Sequence, residues 1–367
     1  MSILGKGYYI WQLPRCESGN PAAIAQRALD SGLSHVLIKI ADGAGWDYNV
    51  DGTTKVDMVP PAVQALHDRG IEAWGWHYVR GDQPDAEAQE AIKRINETGV
   101  DGYVIDAEGE YQDLAKTWAA KRFMQGLRAA FPKLPIALST YRYPKTHPLL
   151  PYGAFLEGCD YAMPQVYFEM AHDPVGELKR SVDQYSSLNP ARPVIPTAPT
   201  YARGNWRPTP TDIQNFIQAA KDMGLKGMNA WSWDIAGKAA FSDLWGVVAG
   251  FDWPTKPPVA DMPERLIGRL NEGDVSLVAG LYTDNAAHVT GEETIVGKTA
   301  IQAWYKDFLK TRLPKATFQV TGKSGEGRTR HYTWTATSSA GSVVDGNDTL
   351  NVLDGRIMYH YSYFHIH

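Results

Sequence analysis

Residues 102–110 read Gly-Tyr-Val-Ile-Asp-Ala-Glu-Gly-Glu, an apolar run that ends in two acidic residues two positions apart. Side chains at i and i+2 of a strand share one face, so an inward Val104 predicts that Asp106 and Glu108 also point inward. A pair of carboxyl groups at the end of a buried strand is a common arrangement for acid catalysis. On spacing alone, two surface acids that open a loop are an equally good interpretation.

Similar apolar runs occur on both sides of this stretch and alternate with segments of helical periodicity. The predicted strands are Tyr8–Leu13, His35–Ala41, Ala73–Val79, Gly102–Glu108, Pro135–Tyr141, Tyr161–Phe168, Pro193–Thr200 and Gly227–Asp234. The predicted helices are Pro21–Ser31, Pro60–Arg69, Asp85–Thr98, Leu114–Phe131, Leu149–Leu156, Pro174–Leu188, Pro210–Met223 and Phe241–Val248. Eight strands that are each followed by a helix predict an α/β fold, a (β/α)8 TIM barrel.

The loops that follow the strands form the working face of such a barrel, so Asp106 and Glu108 are predicted to lie at a site. Cleavage of a glycosidic bond needs two carboxyl groups, because one donates a proton while the other supports charge or attacks. We predict Glu108 as the general acid, with its pKa raised by burial and by the charge of Asp106. A second carboxylate ~5 Å away predicts retention of configuration, and one ~6.5–9.5 Å away predicts inversion. Alternatively, Asp106 holds a 2-acetamido group that attacks in place of the enzyme.

Other residues predicted to bind substrate also follow strands. They are Asp42, His77, Tyr141, Gln165, Tyr167, Trp231, Trp233 and Asp234. Asp42 or Asp234 could supply the second carboxylate, with helix or loop capping as the alternative. Core packing is the alternative for the aromatic residues, and a hydrogen-bonded core position is the alternative for His77. Arg142 could hold an acidic group, whereas Lys39 is interpreted as structural.

Composition limits the classes of partner. A net charge of −5 gives no basic footprint, which argues against nucleic acid and against an anionic membrane surface. Cys16 and Cys159 have no metal-ligand spacing, so neither a disulfide framework nor a metal site is predicted, and no cofactor is expected. Neither a signal-peptide pattern nor a membrane-spanning run is visible, so we expect a soluble protein of unassigned compartment. Twelve Trp and nineteen Tyr favour carbohydrate as the partner.

The run from His35 to Tyr111 resembles the lysozyme-type muramidases of glycoside hydrolase family 25. The resemblance rests on VLIKIADGAG at 36–45, GIEAWGWHYVRGDQPDAEAQEAI at 70–92 and GYVIDAEGEY at 102–111. It implies a barrel glycosidase in which Glu108 is the proton donor and Asp106 assists. The aromatic-His-aromatic end of the third strand corresponds to Trp76-His77-Tyr78.

The chain also departs from that family. Its members carry an acidic residue on the first strand, whereas this chain has Tyr-Tyr-Ile-Trp-Gln at 8–12. The later strands, with ALSTYRY at 137–143, DYAMPQVYF at 160–168 and GMNAWSWDI at 227–235, look more like the broader set of glycosidase-like barrels, including chitinase-type ones. These departures leave a second interpretation, in which the chain keeps the barrel fold but has lost the hydrolytic reaction.

The composition changes after the barrel. We assign residues 1–251 to the barrel, the proline-rich residues 252–262 to a semi-rigid linker and residues 263–367 to a small α+β domain. The predicted helices of this domain are Pro263–Asn271, Ser276–Tyr282 and Thr299–Arg312. The strands predicted to follow them are Ala316–Lys323, Thr329–Thr337, Ser342–Val352 and Arg356–Phe364.

This tail resembles the nuclear transport factor 2-like superfamily, including its SnoaL (polyketide-cyclase-like) and ketosteroid-isomerase-like branches. The similar stretches are LYTDNAAHV at 281–289, VGKTAIQAWYKDFL at 296–309 and DGNDTLNVLDGRIMYHYSYF at 345–364. The resemblance implies a cone-shaped domain with a pocket. The candidates to line it are His288, His331, Asp345, Asp348, Tyr361 and Tyr363, although strand alternation places half of them outside. We expect ligand binding, or a homodimer through the open sheet face, more than catalysis.

Two functions follow from these observations. The first is a glycoside hydrolase that acts on a polysaccharide or peptidoglycan-type glycan. The second is a catalytically inactive barrel that serves as a carbohydrate- or ligand-binding protein. The pair Asp106 and Glu108 favours the enzyme, and the missing acid of the first strand favours the binding protein.

Overall fold

Eight parallel strands close a barrel in chain order in the computed structural model, which describes residues 3–253, 261–325, 328–353 and 355–367. The strands are β1 Gly5–Ile10, β2 His35–Asp42, β3 Glu72–Val79, β4 Gly102–Ala107, β5 Ile136–Tyr141, β6 Tyr161–Gln165, β7 Thr197–Pro199 and β8 Gly227–Trp231. Each strand pairs with the next, and β8 pairs with β1. The predicted (β/α)8 barrel is confirmed.

Helices connect the barrel strands. They are α1 Pro21–Asp30, α2 Val59–His67, α3 Pro84–Thr98, α4 Thr117–Ala130, α5 Tyr152–Leu156, α6 Pro174–Ser186, α7 Pro210–Asp222, α8 Trp233–Ala236 and α9 Ser242–Gly250. Local sequence accounts for their ends: Thr209 and Asp212 form a capping box at the start of α7, and Gly99, whose φ of 70° suits glycine, caps the end of α3.

The sixth strand, predicted over Tyr161–Phe168, ends at Gln165, and two more barrel strands are at least three residues shorter than predicted. The seventh was predicted over Pro193–Thr200 but spans three residues, because its prolines have no N–H to donate to a neighbouring strand. The eighth was predicted to continue to Asp234, but it ends at Trp231 and the chain enters α8 after Ser232. The difference in the eighth strand changes the direction of the side chains that follow Trp231.

The barrel interior is filled with aromatic and aliphatic side chains. The inner cluster contains Tyr9, Leu37, Trp74, Trp76, Val104, Ala137, Tyr161, Met163 and Ile195. Val104 belongs to this cluster, so alternation along β4 directs Asp106 to the same side. The prediction that Asp106 follows Val104 into the interior is therefore confirmed.

A second compact unit follows the barrel. Its helices are α10 Met262–Glu272, α11 Val275–Gly280 and α12 Lys298–Asp307, the last continued by a π-helical turn at Phe308–Arg312. Its strands are β9 Tyr282–Val289, β10 Thr294–Val296, β11 Thr317–Ser324, β12 Thr329–Ser338, β13 Gly341–Leu353 and β14 Arg356–Tyr363. They form one sheet in the order β10-β9-β14-β13-β12-β11.

The predicted order of helices first and strands later is wrong for this unit, because β9 and β10 precede α12. The predicted helix Ser276–Tyr282 ends at Gly280, and Tyr282 begins a strand instead. The predicted linker lies mostly on residues 254–260, outside the described residues, and α10 already begins at Met262 within it. No helix in the described parts of the chain is long and apolar enough to cross a bilayer.

Candidate active site

A cavity of about 780 Å³ opens at the carboxyl ends of the barrel strands. Its lining residues are Asp106, Glu108, Tyr141, Arg142, Tyr143, Thr146, His147, Gln165, Tyr167, Glu169, Met170, Arg180, Tyr201, Arg203 and Trp231. This volume lies within the range of small-molecule binding clefts. The loops after β4 to β8 therefore form a binding-sized cavity on the face where barrel enzymes carry their sites.

The two acidic residues after β4 lie side by side in this cavity. Asp106 is 7% exposed, whereas Glu108 has left the strand and is half-buried at the start of a short 3-10 turn. Nε2 of Gln165 donates to both carboxyl groups, at 3.0 Å to Oδ1 of Asp106 and 2.8 Å to Oε1 of Glu108. One amide on β6 thus fixes the orientation of both acids.

Burial raises the pKa of Asp106 well above its usual value, and the negative charge of Glu108 raises it further. The positive charge of Lys39 and the hydrogen bond from Gln165 oppose that increase. Asp106 is the more deeply buried of the two acids, which is why burial is the largest cause of its raised pKa. The pair is therefore expected to keep a proton at a pH where free carboxyl groups have lost it.

Three predicted aromatic residues and Gln165 line the cavity. The ring of Tyr141 stacks on His147 at 3.6 Å, and the Tyr141 hydroxyl accepts a hydrogen bond from Gln112 at 2.9 Å. Tyr167 packs edge-on against Tyr201 at 5.5 Å. Trp231 lies 5.5 Å from the Trp76 ring and 5.6 Å from the Tyr9 ring. Aromatic faces and hydroxyl groups of this kind suit a sugar, which presents both C–H and O–H groups.

Three other residues predicted to bind substrate do not line the cavity, because their side chains point elsewhere. His77 is fully buried on the outer side of β3, where Nδ1 lies 2.8 Å from the Tyr103 hydroxyl and Nε2 lies 2.8 Å from the Gly43 carbonyl oxygen. Burial lowers the pKa of His77 to about 4, so the ring is neutral. Trp233 is fully buried and donates to Glu17 at 2.7 Å, and Asp234 accepts a hydrogen bond from the backbone N–H of Trp11 at 3.2 Å.

Asp42 does not line the cavity. Its Oδ2 accepts from Nζ of Lys39 at 2.7 Å, and its Oδ1 pairs with Arg80. Lys39 itself lies over the rings of Tyr48, at 4.2 Å, and Trp76, at 4.8 Å. Since Asp42 and Asp234 are both held by other groups, neither stands opposite Glu108 in the cavity.

Several cavity residues were not predicted from the sequence. They are Tyr143, Thr146, His147, Glu169, Met170, Arg180, Tyr201 and Arg203. Most lie in the loops after β5, β6 and β7, and Arg180 lies on α6. The clusters Tyr-Arg-Tyr at 141–143 and Tyr-Ala-Arg at 201–203, each following a strand, were the available signals. Among the described residues, no group of three or more His, Cys, Asp or Glu is placed to hold a metal ion.

The second unit contains its own buried polar cluster around Asp348. Its carboxylate accepts hydrogen bonds from the Tyr332 hydroxyl at 2.7 Å and the Trp334 indole at 2.9 Å, and Nε2 of His360 lies 2.7 Å away. His288 stacks on His360 at 4.3 Å, and neither of its ring nitrogens has a hydrogen-bond partner among the described residues. Burial lowers the pKa of His288 well below its usual value.

The cavity beside this cluster is only about 10 Å³, room for at most one water molecule. Large side chains fill the rest of the cone, among them Trp304, Tyr305, Phe308, Phe318, Trp334 and Phe364. Of the predicted pocket residues, His288 and Asp348 face the interior. The other four do not, because alternation directs them outward: His331, Asp345, Tyr361 and Tyr363.

Comparison with known families identifies this second unit. Residues 264–360 match the SnoaL-like domain. The predicted nuclear transport factor 2-like fold of the tail is therefore confirmed, and the SnoaL-like domain is joined to a barrel that no family match assigns to glycoside hydrolase family 25. No curated protein matches the chain.

Several solved structures match parts of the chain at low sequence identity. An NTF2-like protein from Cytophaga hutchinsonii is 14% identical and covers 30% of this chain and 93% of its own, with a TM-score of 0.26. An NTF2-like protein from Burkholderia xenovorans is 20% identical and covers 28% and 78%, with a TM-score of 0.24. A SnoaL-like family protein from Agrobacterium tumefaciens is 22% identical and covers 28% and 99%, with a TM-score of 0.24.

Proposed function

We propose that the barrel is a glycoside hydrolase that acts on a polysaccharide or peptidoglycan-type glycan, with Glu108 as general acid and Asp106 as its assistant. The observation that carries the proposal is the pair of carboxyl groups bridged by Gln165 within a cavity lined by tyrosine and tryptophan. Glu108 takes the role of acid because it is the more exposed of the two and can reach a glycosidic oxygen.

The proposed mechanism needs the proton of the acid pair on Glu108, against the burial that favours the protonated form of Asp106. When the proton rests on Glu108, Asp106 is an anion, and the charge of Lys39 and the N–H of Gln165 stabilise that anion. After Glu108 has protonated the leaving oxygen, the anionic Asp106 faces the developing positive charge on the sugar or holds a 2-acetamido group of the substrate. Both roles require the negative charge next to the reacting carbon.

Hydrolysis of chitooligosaccharides, soluble peptidoglycan fragments and chromogenic glycosides tests the proposal, with the Glu108→Gln variant assayed in parallel. We expect the wild type to cleave at least one substrate class and the variant to lose roughly 10²–10⁴-fold in rate. Circular dichroism and the thermal transition should be unchanged, because the amide fits the same space. Equal rates for both proteins on every cleaved substrate would contradict the role of Glu108.

A second candidate is a catalytically inactive barrel that binds carbohydrate or another ligand. It is favoured by the first strand, which offers Tyr9 where related barrels carry an acid. Under this alternative, neither protein turns over any substrate, and a sugar binds equally well to wild type and Glu108→Gln. Isothermal titration calorimetry with the same oligosaccharides distinguishes the two candidates.

We also propose that the SnoaL-like domain pairs with a second copy of the chain through the outer face of its sheet. Tyr359, Tyr361 and Tyr363 of β14 and Val344 of β13 are exposed there, and no charged side chain separates the three tyrosines on their strand. Exposed aromatic residues are enriched at protein interfaces. Sedimentation of wild type and Tyr361→Lys should show a dimer that the added charge dissociates, and a monomeric wild type would contradict the pairing.

A further inference from the structure

The cavity of the barrel carries unlike charges on its two sides. Asp106 and Glu108 follow β4, whereas three arginines reach the lining from elements further along the chain. Arg142 follows β5, Arg180 belongs to α6 and Arg203 follows β7. The roles proposed for the acid pair and the aromatic residues do not require guanidinium groups at this position.

Two of these arginines share an aromatic ring. The guanidinium carbon of Arg180 lies 4.2 Å from the centroid of the Tyr143 ring, and that of Arg142 lies 5.0 Å from the same centroid. Contacts of this kind hold a guanidinium group in place. Nη1 of Arg142 also donates to the Tyr167 carbonyl oxygen and pairs with Glu177, so the N–H groups available for a ligand are mainly those of Arg180. We call Arg142, Tyr143 and Arg180 the arginine clamp.

Carboxylates near the clamp neutralise only part of its charge. Glu177 lies 3.2 Å from Arg142 and also accepts a hydrogen bond from the Tyr143 hydroxyl. Glu169 is occupied by Arg203 at 2.6 Å and by the Tyr201 hydroxyl. Within the described part of the chain, no carboxylate lies at ion-pair distance from Arg180. Three guanidinium groups thus face two carboxylates on this side of the cavity.

The opposite side of the barrel mouth is balanced. Lys39 and Arg80 both pair with Asp42, and Arg80 also approaches Glu110 at 4.0 Å. Two cations therefore meet two carboxylates there, and among the described residues that side of the mouth has no unpaired charge to attract a charged substrate group. The excess positive charge is confined to the clamp, so it can discriminate between substrates by charge.

We propose that the arginine clamp binds a carboxylate carried by the sugar substrate, which makes the barrel specific for acidic glycans. This inference rests on the proposed glycosidase function, since it names the substrate class of the same cavity. The planar guanidinium group matches a carboxylate with two parallel N–H···O bonds, a geometry that a sugar hydroxyl does not offer. The acid pair then acts on a neighbouring glycosidic bond of the bound chain.

Binding to the Glu108→Gln protein tests the inference without turnover. The probes are soluble peptidoglycan fragments with free carboxylates and the same fragments after methyl esterification, titrated by calorimetry. We expect the free acid to bind about tenfold more tightly than the ester, and Arg180→Gln to remove most of that difference. Arg180→Lys should restore part of it, because it keeps the charge without the planar fork.

Lys179→Gln is the matched control, since Lys179 is the exposed neighbour of Arg180 on α6 and does not line the cavity. It removes the same charge and should leave both affinities unchanged. Equal affinity of the Glu108→Gln protein for acid and ester, no binding of either, or equal losses in the Arg180 and Lys179 variants would overturn the inference. Failure of the proposed function is detected separately, as absence of hydrolysis by the wild type.

Discussion

Asp106 in the barrel and Asp348 in the SnoaL-like domain are both buried aspartates, yet their surroundings differ in two respects. Asp348 receives hydrogen bonds from Tyr332 and Trp334 and contacts His360, and the cavity beside it is about 10 Å³. Asp106 receives one amide hydrogen bond, stands next to a second acid and borders about 780 Å³. A buried carboxylate can do chemistry where its acceptor positions are incompletely filled and a substrate has space, and otherwise it ties a core together.

The largest difference should appear when each aspartate loses its charge, beginning with Asp106→Asn. We expect activity to fall by about 10²–10⁴-fold, because the anion that assists Glu108 is gone. The free energy of unfolding at neutral pH should stay the same or rise, since a neutral amide avoids the cost of burying an ionised group. Rates on the best substrate and denaturant titrations measure the two effects.

The raised pKa of Asp106 also predicts how the stability of the barrel changes with pH. Because the folded barrel holds the Asp106 proton more tightly than the unfolded chain, this group's contribution is fully present below the usual pKa of about 4. It is lost as pH rises from there through the raised pKa. The unfolding free energy of the wild type should therefore fall with pH relative to that of Asp106→Asn. Parallel curves between pH 4 and 8 would contradict the raised pKa.

Asp348→Asn should have the opposite effects to Asp106→Asn: it should lower stability and leave activity unchanged. The amide cannot accept from all three donors, so we expect the SnoaL-like domain to lose about 3 kcal/mol or more of unfolding free energy. Asp345→Asn is the control on the same strand, because Asp345 is exposed and bonds only to His365 among the described residues; roughly 0.5 kcal/mol or less is expected. Equal losses of unfolding free energy in the two variants would contradict the structural role of Asp348.

Gln165→Ala should have a smaller effect on the barrel. Its amide lowers the pKa of Asp106 and orients Glu108, so we expect about a tenfold loss of rate and a pH–rate limb displaced to higher pH. A purely structural role for Gln165 would lower stability without moving the limb. The pH dependence of kcat/KM in wild type and variant separates these outcomes.

His288→Phe should have the smallest effect, and its sign is informative. Both ring nitrogens of His288 are buried without partners among the described residues, and an apolar ring of similar shape removes that cost. We expect the unfolding free energy to rise by up to about 1 kcal/mol. A loss of more than that would mean that His288 has a polar partner in the folded domain.

The alternation of inward and outward side chains along the strands was the sequence feature that predicted most of the barrel and its site. It gave eight strands, and it placed Asp106 beside Val104 and Gln165 beside Met163 on the inner side. The same alternation places His77 outside, because Trp76 and Tyr78 on either side of it face inward. The aromatic-His-aromatic resemblance outweighed that signal, so His77 was predicted to bind substrate although its side chain lies outside the cavity lining.

The positions of other residues could not be predicted from the local sequence. Trp233 and Asp234 continue an apolar pattern, but the chain turns into α8 at Ser232, so both leave the barrel mouth. Arg180 reaches the cavity from the middle of a helix, which depends on how α6 packs and not on its own periodicity. The filling of the SnoaL-like interior likewise depends on side chains from five strands and two helices meeting at one point.

The most direct test of the contrast between the two aspartate sites is to assay Glu108→Gln and Asp348→Asn together, at a temperature where both are folded. Activity on the best wild-type substrate and the thermal transition are measured for each protein. We predict that Glu108→Gln loses activity with an unchanged transition, and that Asp348→Asn keeps activity with a lowered transition. Activity that survives in Glu108→Gln, or that disappears in folded Asp348→Asn, would contradict this prediction.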